Sequence, residues 1–195
     1  MSSPFGAHVD VPVGRFGLPG VYRMRSMDAD ARLSNVDVAD LVRICNEPLV
    51  WRFLFRDRLG GRRYGEQDAR DFLEWARAGW GSGEHMIFLL RDPQEHIGAC
   101  VDVGRLDESR SALIGYWAGA RHRGVMTNAV ECLARLAKEA GYLKLVALVE
   151  SENVRSSSVL ERAGFSLLGS QEQSVTFFDK PVGIILRFLR YERAL

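Results

Sequence analysis

Apolar residues recur along this chain with two different periods, and the places where the period changes mark its elements. The stretch VYRMRS (Val21 to Ser26) alternates, which puts Tyr22 and Met24 on one face of a half-buried strand. The spacing then lengthens. Val38, Leu41, Val42 and Cys45 form a helical stripe behind a cap at Ser34 or Asn35, and the break Asn46-Glu47-Pro48 ends it. Ala69, Phe72, Leu73 and Ala76 predict a second helix from about Glu66, stopped by Gly79 to Gly83. Strand patterns follow in MIFLL (Met86 to Leu90), HIGACVDVG (His96 to Gly104) and ALIGYW (Ala112 to Trp117), the first two joined through Asp92-Pro93-Gln94-Glu95.

A third helix carries Met126, Ala129, Val130, Leu133 and Ala137 on one face and ends at Gly141. It leads into the strand LKLVALV (Leu143 to Val149), which a helical crossover makes parallel to ALIGYW. A short helix over SSSVLERAGF stops at Gly164, and strands near Ser166 to Leu168 and Val182 to Leu189 complete the series. The order predicts a mixed α/β fold, one sheet flanked by helices.

Composition narrows this picture. With 195 residues, 47% of them hydrophobic, the chain suits one core better than two. Residues 1–20, rich in Gly and Pro, are expected as a loosely attached arm, and residues 21–195 as a single domain. A net charge of +1 gives no global field for a polyanion, so no nucleic-acid partner is expected. No apolar run approaches the roughly 20 residues of a membrane span, and no membrane partner is expected. Cys45, Cys100 and Cys132 sit in apolar segments without metal-ligand spacing. They fit buried free thiols in a reducing, cytoplasmic setting, with no metal.

The chemistry concentrates in IGYWAGARHRGVMTNAV, from Ile114 to Val130, where an apolar strand passes through a basic, glycine-bearing loop into an amphipathic helix. Unpaired N–H groups and the partial positive charge at a helix start make such a joint a cradle for phosphate groups. A second run, Glu152-Asn153-Val154-Arg155-Ser156-Ser157-Ser158-Val159-Leu160-Glu161-Arg162-Ala163-Gly164-Phe165, opens the last helix. Together the two runs resemble the signatures of the GCN5-related N-acetyltransferase (GNAT) superfamily, and more closely its RimJ/RimL branch. The resemblance covers most of the chain, from about Val21 to Arg190.

That resemblance implies a mostly antiparallel central sheet with a splayed parallel strand pair and about four flanking helices. It implies an acetyl-CoA-dependent N-acetyltransferase in which a primary amine, on a protein N-terminus or a small molecule, attacks directly within a ternary complex. The alternative on the same scaffold is a non-catalytic acyl-CoA-binding or interaction module, and a monomer or homodimer suits either. Pantetheine would lie along the strand of Tyr116 and Trp117. The cofactor-binding positions carried over are Trp117, Ala118, Gly119, Arg121, His122, Arg123, Gly124, Val125, Met126, Thr127, Asn153 and Ser156.

His122 stands where the branch carries glycine, and two registers of the loop motif both keep Gly124. A histidine forced to positive φ there would cost about 1–2 kcal/mol. Beside a pyrophosphate, His122 is expected to donate to phosphate or to project into solvent. The position at which many superfamily members place an acidic Tyr is Leu160.

For catalysis, backbone amides near Trp117 to Gly119 are candidates for polarising the thioester carbonyl. Asn153 would orient the cofactor or a water, and Ser156 would sit close to the thiol end. Candidate bases are Asp102, Asp107, Glu108 and Glu150; Asp102 interrupts an apolar run, which a base or a strand with one buried face explains equally well. WRFLF (Trp51 to Phe55), with Trp75 and Trp80, is read first as packing on the core and second as a wall of the acceptor site.

Overall fold

The computed structural model describes residues 3–105 and 110–195. Asp107 and Glu108 lie outside the described residues. In chain order the elements are β1 (Asp10–Arg15), β2 (Leu18–Ser26), α1 (Asn35–Cys45) and the three-residue α2 (Pro48–Val50), which continues as a π-helical turn over Trp51–Phe55. Next come α3 (Glu66–Ser82), β3 (His85–Arg91), β4 (Ile97–Arg105), β5 (Ser111–Ala118) and a 3₁₀ turn at Ala120–His122. The series ends with α4 (Val125–Glu139), β6 (Lys144–Glu150), α5 (Val154–Arg162), β7 (Ser166–Phe177) and β8 (Lys180–Ala194).

The eight strands form one sheet in the order β1-β2-β3-β4-β5-β6-β8-β7. Every adjacent pair is antiparallel except β5–β6. Helix α4 packs Val125, Val130 and Leu133 on one face, against Met86, Phe88, Val101 and Val103. On the other face α1 and α3 bring Val38, Leu41, Ala69 and Ala76 onto Ile87, Leu89 and Cys100. With both faces of β3 covered, MIFLL reads as a continuous apolar run rather than an alternation. Ser34 and Asp37 close a capping box at the start of α1, and Gly83, at φ +73°, ends α3.

The parallel pair comes apart. Pairing between β5 and β6 runs from Ser111↔Lys144 to Ile114↔Ala147 and stops, although β5 continues to Ala118 and β6 to Glu150. Beyond that point β5 remains paired with β4 and β6 with β8. A wedge-shaped gap therefore opens between them, bordered by backbone that no strand fills.

Three expectations are corrected. The expected loose arm, residues 1–20, is packed over its described part, residues 3–20: Val9 and Val13 are buried, β1 pairs with β2, Phe5 packs edge-on against Phe88 at 5.5 Å, and Trp80 donates to the Gly6 carbonyl at 3.2 Å. The alternating valines at 9, 11 and 13 carry this strand amid the Gly and Pro residues. The last two strands are far longer than their apolar patches, because their polar stretches pair as an exposed hairpin that needs no hydrophobic face. WRFLF does not enter the core: it forms the π-turn with none of its five side chains buried, and Phe55 packs half-buried against the core from outside.

Candidate functional site

The loop after β5 is built around two residues of opposite character. His122 is turned inward, 7% exposed, with Nδ1 2.8 Å from the Tyr22 hydroxyl. Gly98 on β4 leaves room for the ring, which a Cβ there would strike. Burial lowers the His122 pKa and keeps the ring neutral. The expected solvent-facing imidazole is thus corrected: this histidine fills space under the loop, where it also borders the cleft described below. Its backbone lies in the 3₁₀ turn without positive φ.

Gly124 carries the backbone demand instead. It caps α4 at φ +83°, and a Cβ would stand 3.0 Å from the Phe16 carbonyl. The turn between β1 and β2 grips the loop from outside. Phe16 N–H donates to the Gly124 carbonyl at 2.6 Å, and the Arg15 guanidinium donates to the Arg123 carbonyl at 3.0 and 2.7 Å. On the inner side, the Ala120 N–H donates to the Glu47 carboxylate at 2.6 Å, a contact hidden in the Asn46-Glu47-Pro48 break.

Two cavities flank β5. A cleft of about 590 Å³ follows the gap; Trp117, Ala118, Gly119, Arg123, Gly124, Met126, Asn153 and Ser156 are among its lining residues. Of the other carried-over positions, Val125 is buried in the core, and Thr127 is buried with its hydroxyl 3.4 Å from the Arg162 guanidinium. Arg121 lines a separate depression beside Arg15 and Arg43. Gly119 N–H donates to Gly98 at 2.9 Å, which takes it out of the set proposed to polarise a carbonyl.

The larger cavity, about 1140 Å³, lies on the α1 and α3 side and is lined by Phe55, Tyr64, Trp75, Trp117, Phe177 and Phe178, among others. Both volumes suit small organic ligands. Leu54, Arg58, Gly115, Tyr116 and Trp117 border both cavities, so the two meet at the splayed end of β5. Trp80 is a core residue, whereas Phe55 and Trp75 form wall.

Asp102 lines the larger cavity beside that meeting point. It is the register partner of Gly115, and a Cβ at Gly115 would lie 2.6 Å from its Oδ2. Burial raises its pKa to about 6, against the opposing pull of the Gly115 N–H and the Arg58 charge. A carboxylate tuned this way is ionised at neutral pH yet basic enough to take a proton.

Across the gap, Asn153 caps α5, its side chain accepting from the Ser156 N–H at 3.3 Å. The Tyr116 hydroxyl reaches over to the Ser156 carbonyl at 3.0 Å and lies 2.7 Å from Ser156 Oγ. Burial pushes the Tyr116 pKa up, so this phenol stays protonated. Leu160 is fully buried and offers no acid. Glu150 also borders the cleft, its pKa raised by burial and by Asp57.

A family model described as an acetyltransferase (GNAT) domain matches residues 31–166. The chain belongs to the GNAT acetyltransferase family. Acetyl-CoA is the cosubstrate typical of this family. A search of curated protein sequences gave no match. Among solved structures, the fold is similar to Mycobacterium smegmatis RimJ in complex with CoA-disulfide, at TM-score 0.70 and 18% identity over 100% of this chain and 90% of that one. It is similar to RimL, a ribosomal L7/L12 alpha-N-protein acetyltransferase in complex with coenzyme A, at TM-score 0.70 and 15% identity over 96% and 98%. It is also similar to the microcin C7 self-immunity acetyltransferase MccE in complex with acetyl-CoA and AMP, at TM-score 0.69 and 18% identity over 89% and 92%. The GNAT fold is RimJ/RimL-like, with four helices of nine residues or more around the splayed sheet. Among the described residues no helix is long and apolar enough to cross a membrane.

Proposed function

We propose that this protein transfers the acetyl group of acetyl-CoA to a primary amine by direct attack in a ternary complex. The observation that carries the reading is the meeting of two cavities at Gly115 to Trp117, with Asp102 in the larger one, opposite Gly115 in the strand register. One cavity has a backbone-lined gap for the thioester arm and the other has room for an acceptor.

The pantetheine arm lies in the β5–β6 gap. The pyrophosphate rests at the start of α4, where no side chain caps the first N–H groups. The amine approaches from the larger cavity, and its nitrogen attacks the thioester carbonyl carbon. The C–N bond forms as the C–S bond breaks, and Asp102 accepts the proton shed by the amine, directly or through a water. Sulfur leaves beside Ser156. A thiol of ordinary pKa near 8.5 is a workable leaving group without a dedicated acid.

The test begins with binding. Acetyl-CoA and CoA are expected to raise the thermal midpoint by several degrees, in proportion to RT ln(1 + [L]/Kd), and adenosine is not. Gly124→Val should abolish the shift, since it forces a β-branched residue to positive φ against Phe16. No CoA response in the wild type, or an undiminished one in a folded Gly124→Val protein, would overturn the proposed cofactor seat.

A further inference from the structure

The larger cavity has one wall made almost wholly of rings. Tyr64, Phe55 and Phe177 follow one another edge-on, with centroids 4.9 and 6.4 Å apart. Phe177 stacks on Phe178 at 4.1 Å, Phe178 lies 5.7 Å from Trp75, and Trp75 stacks on His85 at 3.9 Å. Two stretches distant in sequence contribute to this wall, residues 55–85 and the tip of the β7–β8 hairpin.

That tip is built against its own backbone preference. Phe177 pairs with Lys180, leaving a two-residue turn in which Phe178 has φ +48° and Asp179 φ +63°. Such a turn favours Asn-Gly, and a phenylalanine at positive φ is an outlier. The side chains account for the choice. Both land on α3, Phe178 against the Trp75 ring and Asp179 accepting from the Trp75 indole N–H. Arg58 ties the same hairpin to the π-turn, donating to the Thr176 carbonyl at 2.9 Å and to the Leu54 carbonyl at 2.7 Å.

The polar atoms of this wall therefore answer one another. Asp179 is engaged by Trp75, His85 Nε2 lies 2.9 Å from the Trp75 carbonyl, and the Arg58 guanidinium holds two carbonyls. An acceptor seated against this wall meets aromatic surface, with Asp102 on the floor and Ser82, Glu84 and Arg110 elsewhere on the lining. A peptide would bring amide groups needing partners, whereas a flat apolar body would gain ring contacts on entry.

We infer that the acceptor is a small primary amine carried on an aromatic body, and that Phe178 and Asp179 at the hairpin tip determine that specificity. This rests on the transferase reading but can fail apart from it. The experiment compares kcat/KM for 2-phenylethylamine, tryptamine, n-hexylamine and a short peptide with a free N-terminus, in the wild type and in a Phe178→Asn, Asp179→Gly double variant. The aromatic amines should lead the others by about tenfold or more in the wild type, the range a shaped apolar pocket supplies. The double variant should melt at the same temperature or higher, because its turn is relaxed, and should keep its CoA response while that lead collapses.

A peptide or hexylamine used as well as the aromatic amines, or a lead unchanged in the double variant, would overturn the inference and leave the transferase reading standing. Calorimetric titration of 2-phenylethylamine into each protein with CoA present gives a readout free of turnover. Binding that the double variant loses, with no amine acetylated, would uphold the aromatic pocket while the transferase reading falls. Absence of binding to the wild type would overturn the pocket.

Discussion

The two cavities that meet at β5 are built by different means. The cleft beside the splayed pair takes its shape from main chain, a strand pair that parts after Ile114↔Ala147, a glycine at positive φ and an uncapped helix start, with side chains such as Phe53, Trp117 and Val159 on its walls. The larger cavity, the proposed acceptor site, is framed by side chains gathered from the π-turn, α3, β4 and the β7–β8 hairpin. Backbone geometry recurs wherever the same motif recurs, while a side-chain wall can be rewritten residue by residue. One scaffold can therefore hold its donor constant and change its acceptor.

The sharpest way to test this division is at its boundary. Asp102→Asn should lower kcat by about 10²–10³-fold, the usual reach of a positioned base, and leave the CoA-induced thermal shift intact. With Asp102 titrating at about 6, the wild-type rate should fall as pH drops through 6, because the protonated carboxyl accepts nothing. That inflection should vanish from the pH profile of kcat/KM in the Asn variant, whose remaining pH dependence is that of the amine alone.

The next largest effect concerns stability. Restoring the family's glycine at position 122 is expected to weaken the protein by about 2–4 kcal/mol, since it empties a buried volume and leaves the Tyr22 hydroxyl without its partner. Denaturant unfolding measures the loss. CoA affinity should not improve, and a His122→Gly protein that bound CoA more tightly at unchanged stability would make the imidazole an obstacle rather than a support.

Much of the donor side was legible in the sequence because its signals are local. Strand, loop and helix follow one another from Ile114 to Val130, and Gly124 stood out in either register. The orientation of His122 was not legible, since it depends on Tyr22 and Gly98, residues 100 and 24 positions away. Arg121, Val125 and Thr127 illustrate a second limit. A motif says which residues are near a ligand, but the helical turn decides which of them face it. On the acceptor side, WRFLF carried an open choice between core and wall, and only the partners Tyr64 and Phe177 reveal a wall. The hairpin tip left almost no trace, because Phe-Asp contradicts the residues its turn prefers.

A smaller effect separates position from chemistry at the boundary itself. Gly115→Ala should reduce kcat by about tenfold by pushing the Asp102 carboxylate aside, a loss typical of a misplaced group, while CoA binding and expression stay near wild type. Steady-state kinetics beside a thermal shift assay distinguish this from unfolding. An unchanged kcat would mean that Asp102 can act from elsewhere, and its place opposite Gly115 would lose its special standing.

The grip of the β1–β2 turn on Arg123 and Gly124 bears on how this protein can be cut and fused. The family model begins at residue 31, so a fragment trimmed to that boundary would look complete by sequence match. It would nonetheless lack the clasp that fixes the loop before α4 and, having lost β1 and β2 together, would expose β3 as a raw sheet edge, an invitation to stick to its neighbours. Fusion partners and truncations chosen by family boundaries would sever the fold at a place where its working loop is fastened.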